Sequence, residues 1–194
     1  MCDDIDMATT HEKDYVAVFD GFVERQRWRT AIHEAGHVAV GVWLGYGAGD
    51  ALVAMKGGQA MAARGMPCEA DVEDLLFTLA GRAAEPLAER HPRPERPRPT
   101  TKQNRDELTT LDEANAKAVE ETGRPTPTDD HRVRIVAGGI FTDDARDAAL
   151  ASLRNVAGRI IEQWESRVVE AARSLYLHGT LGAADAAAIF GDTN

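Results

Sequence analysis

Apolar residues recur at helical spacing along most of this chain, and the first such segment runs from Glu24 to Leu44. Val38 lies on its apolar side, and Gly45 follows as a natural helix stop. Gly36 and Gly41 interrupt the pattern, and each costs about 1 kcal/mol relative to alanine in a helix interior. Such a cost is easiest to explain if another backbone approaches this helix closely.

The same periodicity predicts further helices at residues 69–90, 103–122, 131–140, 143–178 and 183–190. Between the first two helices, Gly57-Gly58 separates two short runs, Ala51–Lys56 and Gln59–Arg64, and predicts a β-hairpin. Residues 1–14 are acidic and predict a flexible tail, and residues 15–23 predict a short strand or turn. The pattern therefore indicates one mainly α-helical domain over residues 15–194, with a small β-hairpin beside its first helix.

The charge balance excludes some classes of partner. The net charge is -10 and the isoelectric point is near 5.0, which argues against a nucleic-acid-binding surface. No apolar run approaches the roughly 20 residues of a membrane-spanning helix. The N-terminal residues lack the basic and apolar regions of a signal peptide, and the two cysteines form no C-x-x-C pair. We therefore expect a reduced, cytoplasmic protein.

A proline-rich and arginine-rich segment, Pro92–Thr101, breaks the helical pattern. Its prolines alternate with charged residues, which predicts an extended, polyproline-like loop. The simpler interpretation is a solvated surface loop. The alternative is a docking segment for an acidic protein partner.

The chemistry of the first helix is carried by His33-Glu34-x-x-His37, an H-E-x-x-H motif. On a helix, residues four apart lie on one face and one turn apart, so both imidazoles can reach one Zn²⁺. Glu34 then projects near the remaining position, where a carboxylate can act as a general base toward a water. The motif indicates a zinc hydrolase, and the alternative interpretation is a buried helix whose histidines only satisfy hydrogen bonds.

Other titratable residues are weaker candidates for a metal ligand. Glu69 and Glu73 could supply a third ligand, but they are more simply surface carboxylates at a helix N-terminus. His11, His131 and His178 are predicted to be solvated or capping residues rather than ligands.

Two separated motifs resemble the FtsH-type zinc peptidases. The segment Ala31–Val40 is similar to the A-x-HEAGH-A-V segment of that family. The segment Leu79–Glu85 is similar to the G-G-R-A-A-E helix that follows, with Ala80 in place of the first glycine. The order of later helices also agrees, so the resemblance covers the chain from about Arg25 to its C-terminus.

The resemblance implies a mainly helical zinc-peptidase domain with a small sheet next to the H-E-x-x-H helix. In that family the third zinc ligand is an aspartate early in the helix after G-R-A-A-E, usually within N-D. The matching segment here is Asn104-Arg105-Asp106, with an arginine inserted. The resemblance thus implies Asp106 as the third ligand, with Asp112 as the alternative.

The expected activity is that of a zinc-dependent metalloendopeptidase that hydrolyses peptides or unstructured protein segments. No G-x-x-x-x-G-K-[ST] loop occurs in the sequence, so ATP binding is not expected and the protease would work without its own ATPase. FtsH-type domains are typically hexameric, so a homo-oligomer is compatible with the resemblance. The alternative function is a metal-stabilised protein-interaction module in which proteolysis is lost or highly restricted.

Overall fold

The computed structural model describes residues 7–54, 57–60, 71–97 and 128–191, together with six separate positions between 102 and 116. Its helices are α1 (Met7–Trp43), α2 (Val72–Ala84), α3 (Leu87–Arg90), α4 (Asp129–Ile140), α5 (Asp143–Gln163), α6 (Glu165–His178) and α7 (Ala183–Phe190). Its strands are β1 (Ala51–Ala54), β2 (Gly57–Ala60) and β3 (Thr180–Leu181). The prediction of a mainly helical fold with a small sheet is confirmed. Within the described residues, no helix is both long enough and apolar enough to span a bilayer.

The first helix is longer than the sequence pattern predicted. It begins at Met7, so the strand or turn predicted at residues 15–23 is wrong, and residues 7–14 of the predicted tail are helical. No proline occurs between residues 7 and 43, and extending an existing helix adds one hydrogen bond for each residue fixed. The cost of Gly21, about 1 kcal/mol, is too small to end the helix.

Two predicted helices are each divided in two. The helix predicted at 69–90 breaks after α2, because Pro86 has no N–H to donate to the preceding turn. The helix predicted at 143–178 breaks at Trp164, whose φ of -110° and ψ of 19° lie outside the helical region. The Trp164 ring stacks on Phe190 of α7, with ring centroids 5.7 Å apart. This long-range contact is not visible in the periodicity.

The sheet is antiparallel with strand order β2-β1-β3, so β2 is an edge strand among the strands that the structure describes. The glycine pair predicted as a turn lies inside β2, where Gly57 pairs with Ala54 and Gly58 pairs with Val53. That part of the hairpin prediction is wrong. The reason is a close contact between Gly58 and α1, described below.

Helix α1 is the centre of the main hydrophobic core. The core also includes β1, α6 and α7, and its large, fully buried side chains include Ile32, Val40, Leu175, Tyr176 and Phe190. A second cluster lies between α2, α4 and α5 and contains Leu75, Leu79, Val136, Ala137 and Leu150. Because α2 contacts α1 as well as this second cluster, it connects the H-E-x-x-H helix to α4.

The predicted close approach to Gly36 is confirmed. A Cβ atom built on Gly36 would lie 2.7 Å from the Cβ of Ala84 and 2.8 Å from the backbone oxygen of Ala80. At Gly41 the neighbour is a side chain rather than a backbone: a Cβ built there would lie 3.1 Å from the ring of Phe77. These glycines let α1 and α2 pack closely beside the H-E-x-x-H turn.

We expect Gly36→Ala to lower the free energy of unfolding by about 1–3 kcal/mol, because the added methyl group overpacks a contact with backbone atoms. The matched control is Gly158→Ala in α5, where a Cβ would have no neighbour within 4 Å. That change should raise the free energy of unfolding by up to about 1 kcal/mol, through helix propensity alone. Urea denaturation of the two variants measures both effects, and equal changes would contradict the close contact.

Candidate metal centre

Three side chains from two helices converge at one point. His33 and His37 lie one turn apart on α1, and Asp129 is the first residue of α4. The Oδ2 atom of Asp129 lies 2.8 Å from Nε2 of His33 and 3.2 Å from Nε2 of His37. The two Nε2 atoms are 3.1 Å apart. This His-His-Asp group could bind a metal ion.

The hydrogen bonds on the far side of each imidazole fit such a role. Nδ1 of His37 donates to the backbone oxygen of Phe77 at 2.8 Å, and Nδ1 of His33 donates to Oε1 of Glu85 at 3.0 Å. Because both Nδ1 atoms carry the hydrogen, both Nε2 atoms present their lone pairs to the common centre.

Three acceptor atoms this close together need a positive charge among them. A proton on one imidazole would satisfy part of this need, whereas a metal ion would satisfy all three atoms at once. Ligand atoms that lie about 2.0–2.1 Å from a tetrahedral zinc are about 3.3 Å from one another. The observed separations of 2.8, 3.1 and 3.2 Å are close to that value. The residues present therefore fit a metal.

A chain of charges holds His33 in this orientation. Arg29 forms an ion pair with Oε2 of Glu85, while Oε1 of the same carboxylate accepts the hydrogen bond from His33. Burial would raise the pKa of Glu85, but the hydrogen bonds from Arg29 and His33 outweigh it and lower that pKa. A carboxylate that accepts from a ligating imidazole fixes the ring and increases its basicity.

Helix α2 makes room for the His33 ring. A Cβ atom built on Gly81 would overlap the imidazole of His33, so any larger residue would displace the ring. Gly81 and Glu85 both belong to the G-R-A-A-E motif and are one turn apart. The motif therefore combines the space for the imidazole with the carboxylate that orients it.

Ion pairs between α2 and α4 position Asp129. Arg82 donates to Asp130 at 2.9 Å, and Arg132 donates to the buried Asp74 at 2.8 Å. Burial would raise the pKa of Asp129, but the two imidazoles next to its carboxylate outweigh that effect and hold the pKa well below its usual range. The carboxylate of Asp129 is therefore ionised beside the two imidazoles.

Glu34 is buried next to this group, with 6% of its surface exposed. A Cβ atom built on Gly58 of β2 would lie 2.7 Å from both Cγ and Oε1 of Glu34, so only glycine fits there without a shift. Burial raises the pKa of Glu34, and the nearby charges of His37 and His33 only partly oppose this effect. The edge strand thus packs directly against the candidate general base.

The group opens into a cleft of about 650 Å³. His33, His37, Glu34 and Asp129 all line it, as do Gly58 and Ala60 of β2. This volume lies within the range of about 300–1,000 Å³ that is typical of ligand-binding clefts. The four polar side chains are therefore accessible to a substrate from one cavity.

The structure brings together His33, Glu34 and His37, but it places neither predicted third ligand beside them. Asp106 is exposed, and its Oδ2 atom lies 3.9 Å from Nζ of Lys102. Asp112 is also exposed. Neither belongs to the metal-binding group found among the described residues.

The remaining candidates also lie outside the group. Glu73 accepts a hydrogen bond from Tyr46, whereas Glu69 falls outside the described residues. His131 and His178 are exposed, as predicted.

The prediction missed Asp129. Its signal in the sequence is weak: an Asp129-Asp130 pair directly before the helix predicted at 131–140. Acidic residues are common in a first helical turn because they favour the helix dipole, so this position alone does not indicate a ligand.

We expect Glu85→Gln to weaken metal binding by about 10–100-fold, because a neutral amide is a poorer acceptor for the His33 N–H. Competition with a chromophoric chelator measures this affinity without any need for activity. The matched control is Glu89→Gln, an exposed glutamate on α3. Equal affinities for the Glu85→Gln variant and the wild type would contradict the orienting role of Glu85.

No protein-family model, curated protein sequence or solved structure gives a significant match to this chain.

Proposed function

We propose that this chain is a zinc-dependent metallopeptidase that hydrolyses peptide bonds in peptides or unstructured protein segments, with the active-site plan of the FtsH-type peptidases. One observation carries the proposal: His33, His37 and Asp129 converge in an open cleft that Glu34 also lines. The cleft thus combines a metal-binding group with a buried carboxylate that is not part of it.

The donor set supports zinc. Two imidazoles and one carboxylate form one of the three-ligand sets of catalytic zinc sites, and they leave a coordination position open. The same donors also occur in non-haem iron sites, but a glutamate next to the first histidine is typical of zinc hydrolases. When bound, zinc would act as a Lewis acid toward the substrate carbonyl and lower the pKa of a water toward 7.

Glu34 is the proposed general base. Within the described part of the chain, none of the hydrogen bonds involves its carboxylate, so both oxygens are available to a water or a substrate. Glu34 would accept a proton from the attacking water and then donate it to the leaving amine. Its raised pKa suits this role, because a base must hold the proton briefly before it passes it on.

The edge strand β2 is the proposed substrate-binding element. Its partner β1 lies on one side, and none of the described strands lies on the other side of β2. Gly58 of β2 contacts Glu34, so an extended peptide added to this edge would lie beside the base. Backbone hydrogen bonds of this kind require an unfolded substrate. A cytoplasmic location remains part of the proposal, since a sequence with two cysteines does not have the cysteine content of a disulfide-rich secreted protein.

The test is cleavage of an unstructured protein, such as casein, by zinc-loaded protein. We expect fragments to appear, to stop appearing after 1,10-phenanthroline treatment, and to reappear after stoichiometric Zn²⁺ is restored. Magnesium should not restore cleavage, because it binds nitrogen donors poorly. Zinc-loaded protein that cleaves no unfolded substrate would instead favour a metal-stabilised interaction module.

A further inference from the structure

A second cavity, of about 360 Å³, adjoins the metal cleft. The two cavities share Thr78, Arg82, Asp129 and Asp130 as lining residues. Leu79, Val133 and Arg154 line only the second cavity, which we call the Arg154 pocket. Because Asp129 belongs to both, a substrate held at the metal group could extend directly into this pocket.

The charged groups around the Arg154 pocket differ in whether they have ion-pair partners. Arg82 is paired with Asp130 at 2.9 Å, and Asp129 is paired with the two imidazoles. Arg154 is exposed on α5, and within the described residues no carboxylate lies within ion-pair distance of it. Among the described residues, Arg154 is therefore the one guanidinium lining this pocket that has no ion-pair partner.

The other arginines of the metal cleft have structural partners. Arg29 is paired with Glu85, and Arg132 is paired with Asp74. These two arginines stabilise the site through their ion pairs, whereas Arg154 forms no ion pair with any described residue. An arginine that opens into a cavity and has no ion-pair partner among the described residues is available to a ligand.

We infer that the Arg154 pocket is a carboxylate-binding subsite, in which Arg154 selects substrates with an acidic side chain or a free C-terminal carboxylate near the cleaved bond. This inference rests on the proposed peptidase function and extends it to a substrate class. A guanidinium binds a carboxylate through two parallel hydrogen bonds. Leu79 and Val133 would contact the methylene groups of the substrate residue.

The charges favour a singly charged group. Asp129 and Asp130 line the same pocket, so a dianion such as a phosphate would be repelled more strongly than a carboxylate. A cationic side chain would be repelled by the guanidinium of Arg154. A carboxylate therefore matches the pocket better than either.

The test uses short alanine–leucine peptides, each with one glutamate at a different position, beside matched glutamine peptides. Each peptide is made with a free and with an amidated C-terminus. Binding to the zinc-loaded Glu34→Gln protein is measured by fluorescence anisotropy, and cleavage by the wild type is measured separately. We expect a carboxylate at one position to tighten binding roughly tenfold, as one charge-assisted hydrogen bond would, and high salt to weaken that preference.

Arg154→Gln should abolish the carboxylate preference. Its matched control, Arg159→Gln, should retain it, because Arg159 is an exposed arginine on the same helix that lines neither cavity. If binding depends on the position of the glutamate, the pocket binds a side-chain carboxylate. If amidation weakens binding, the pocket binds the C-terminal carboxylate. Either result supports the inference. Equal binding of all peptides, or a preference that survives Arg154→Gln, overturns it.

The two proposals fail in different ways. Cleavage by the wild type without any carboxylate preference would contradict the subsite and leave the peptidase function intact. A carboxylate preference in binding, removed by Arg154→Gln and without cleavage by the wild type, would support the pocket and contradict the peptidase function.

Discussion

Glu34→Gln should reduce peptide hydrolysis by about 10²–10⁴-fold, the usual contribution of a positioned general base. Glutamine has the shape of glutamate but cannot accept the proton of the attacking water. Metal content should not change, because the metal-binding group consists of His33, His37 and Asp129. The measurements are initial rates on a quenched peptide substrate and zinc content by atomic absorption.

The fold should tolerate Glu34→Gln, because an uncharged amide is easier to bury than a carboxylate. Glu89→Gln is the control, since it makes the same chemical change at an exposed position outside the cleft. Full activity of the Glu34→Gln protein would contradict the assignment of the base. Loss of zinc together with activity would instead assign Glu34 a role in holding the metal.

Asp129→Asn should weaken zinc binding by at least about 100-fold, because it removes a charged ligand, and even partners outside the first coordination sphere contribute 10–100-fold. Asp106→Asn and Asp112→Asn should leave zinc affinity unchanged, since both side chains are exposed and outside the group. The three variants carry the same chemical change at the three competing positions. Chelator competition gives the affinities, and thermal unfolding with and without zinc gives an independent readout.

This comparison decides between the two sources of the third-ligand assignment. Zinc loss in Asp106→Asn alone would favour the family resemblance over the geometry. Zinc loss in Asp129→Asn alone would favour the geometry and assign the third ligand to Asp129.

The histidine pair could be predicted because its geometry is local. Residues four apart on any helix face the same side, so His33 and His37 needed only the helix that the surrounding pattern predicts. The expected backbone approach at Gly36 was also recoverable, because a glycine in a helix interior has a cost that packing must offset. Both inferences start from residues of a single helix, and neither needs the identity of the residue that approaches it.

Asp129 could not be predicted in the same way. It is 96 positions from His33 and 92 from His37, and the intervening chain includes the proline-rich segment. Its place depends on the contacts of α4 with α2, including the Arg82–Asp130 and Arg132–Asp74 pairs. No local pattern specifies such pairs, since an aspartate at a helix start is usually explained by the helix dipole.

Gly58 shows a similar division between local and long-range causes. Taken alone, Gly57-Gly58 between two short runs is typical of a hairpin turn. In the folded chain, Gly58 is inside β2, and its missing side chain is what lets the strand contact Glu34. The structural role of Gly58 can therefore be assigned only when its contact with Glu34 is known.

The amino-acid pattern alone therefore accounts for the mainly helical class, the small sheet, and the two imidazoles and the carboxylate at Glu34. These features depend on helical periodicity and on chemistry within one turn. The folded structure alone identifies Asp129, the Arg29–Glu85–His33 chain, the edge position of β2 and the Arg154 pocket. Those features arise where side chains distant in sequence are brought together by packing, and packing depends on the whole chain.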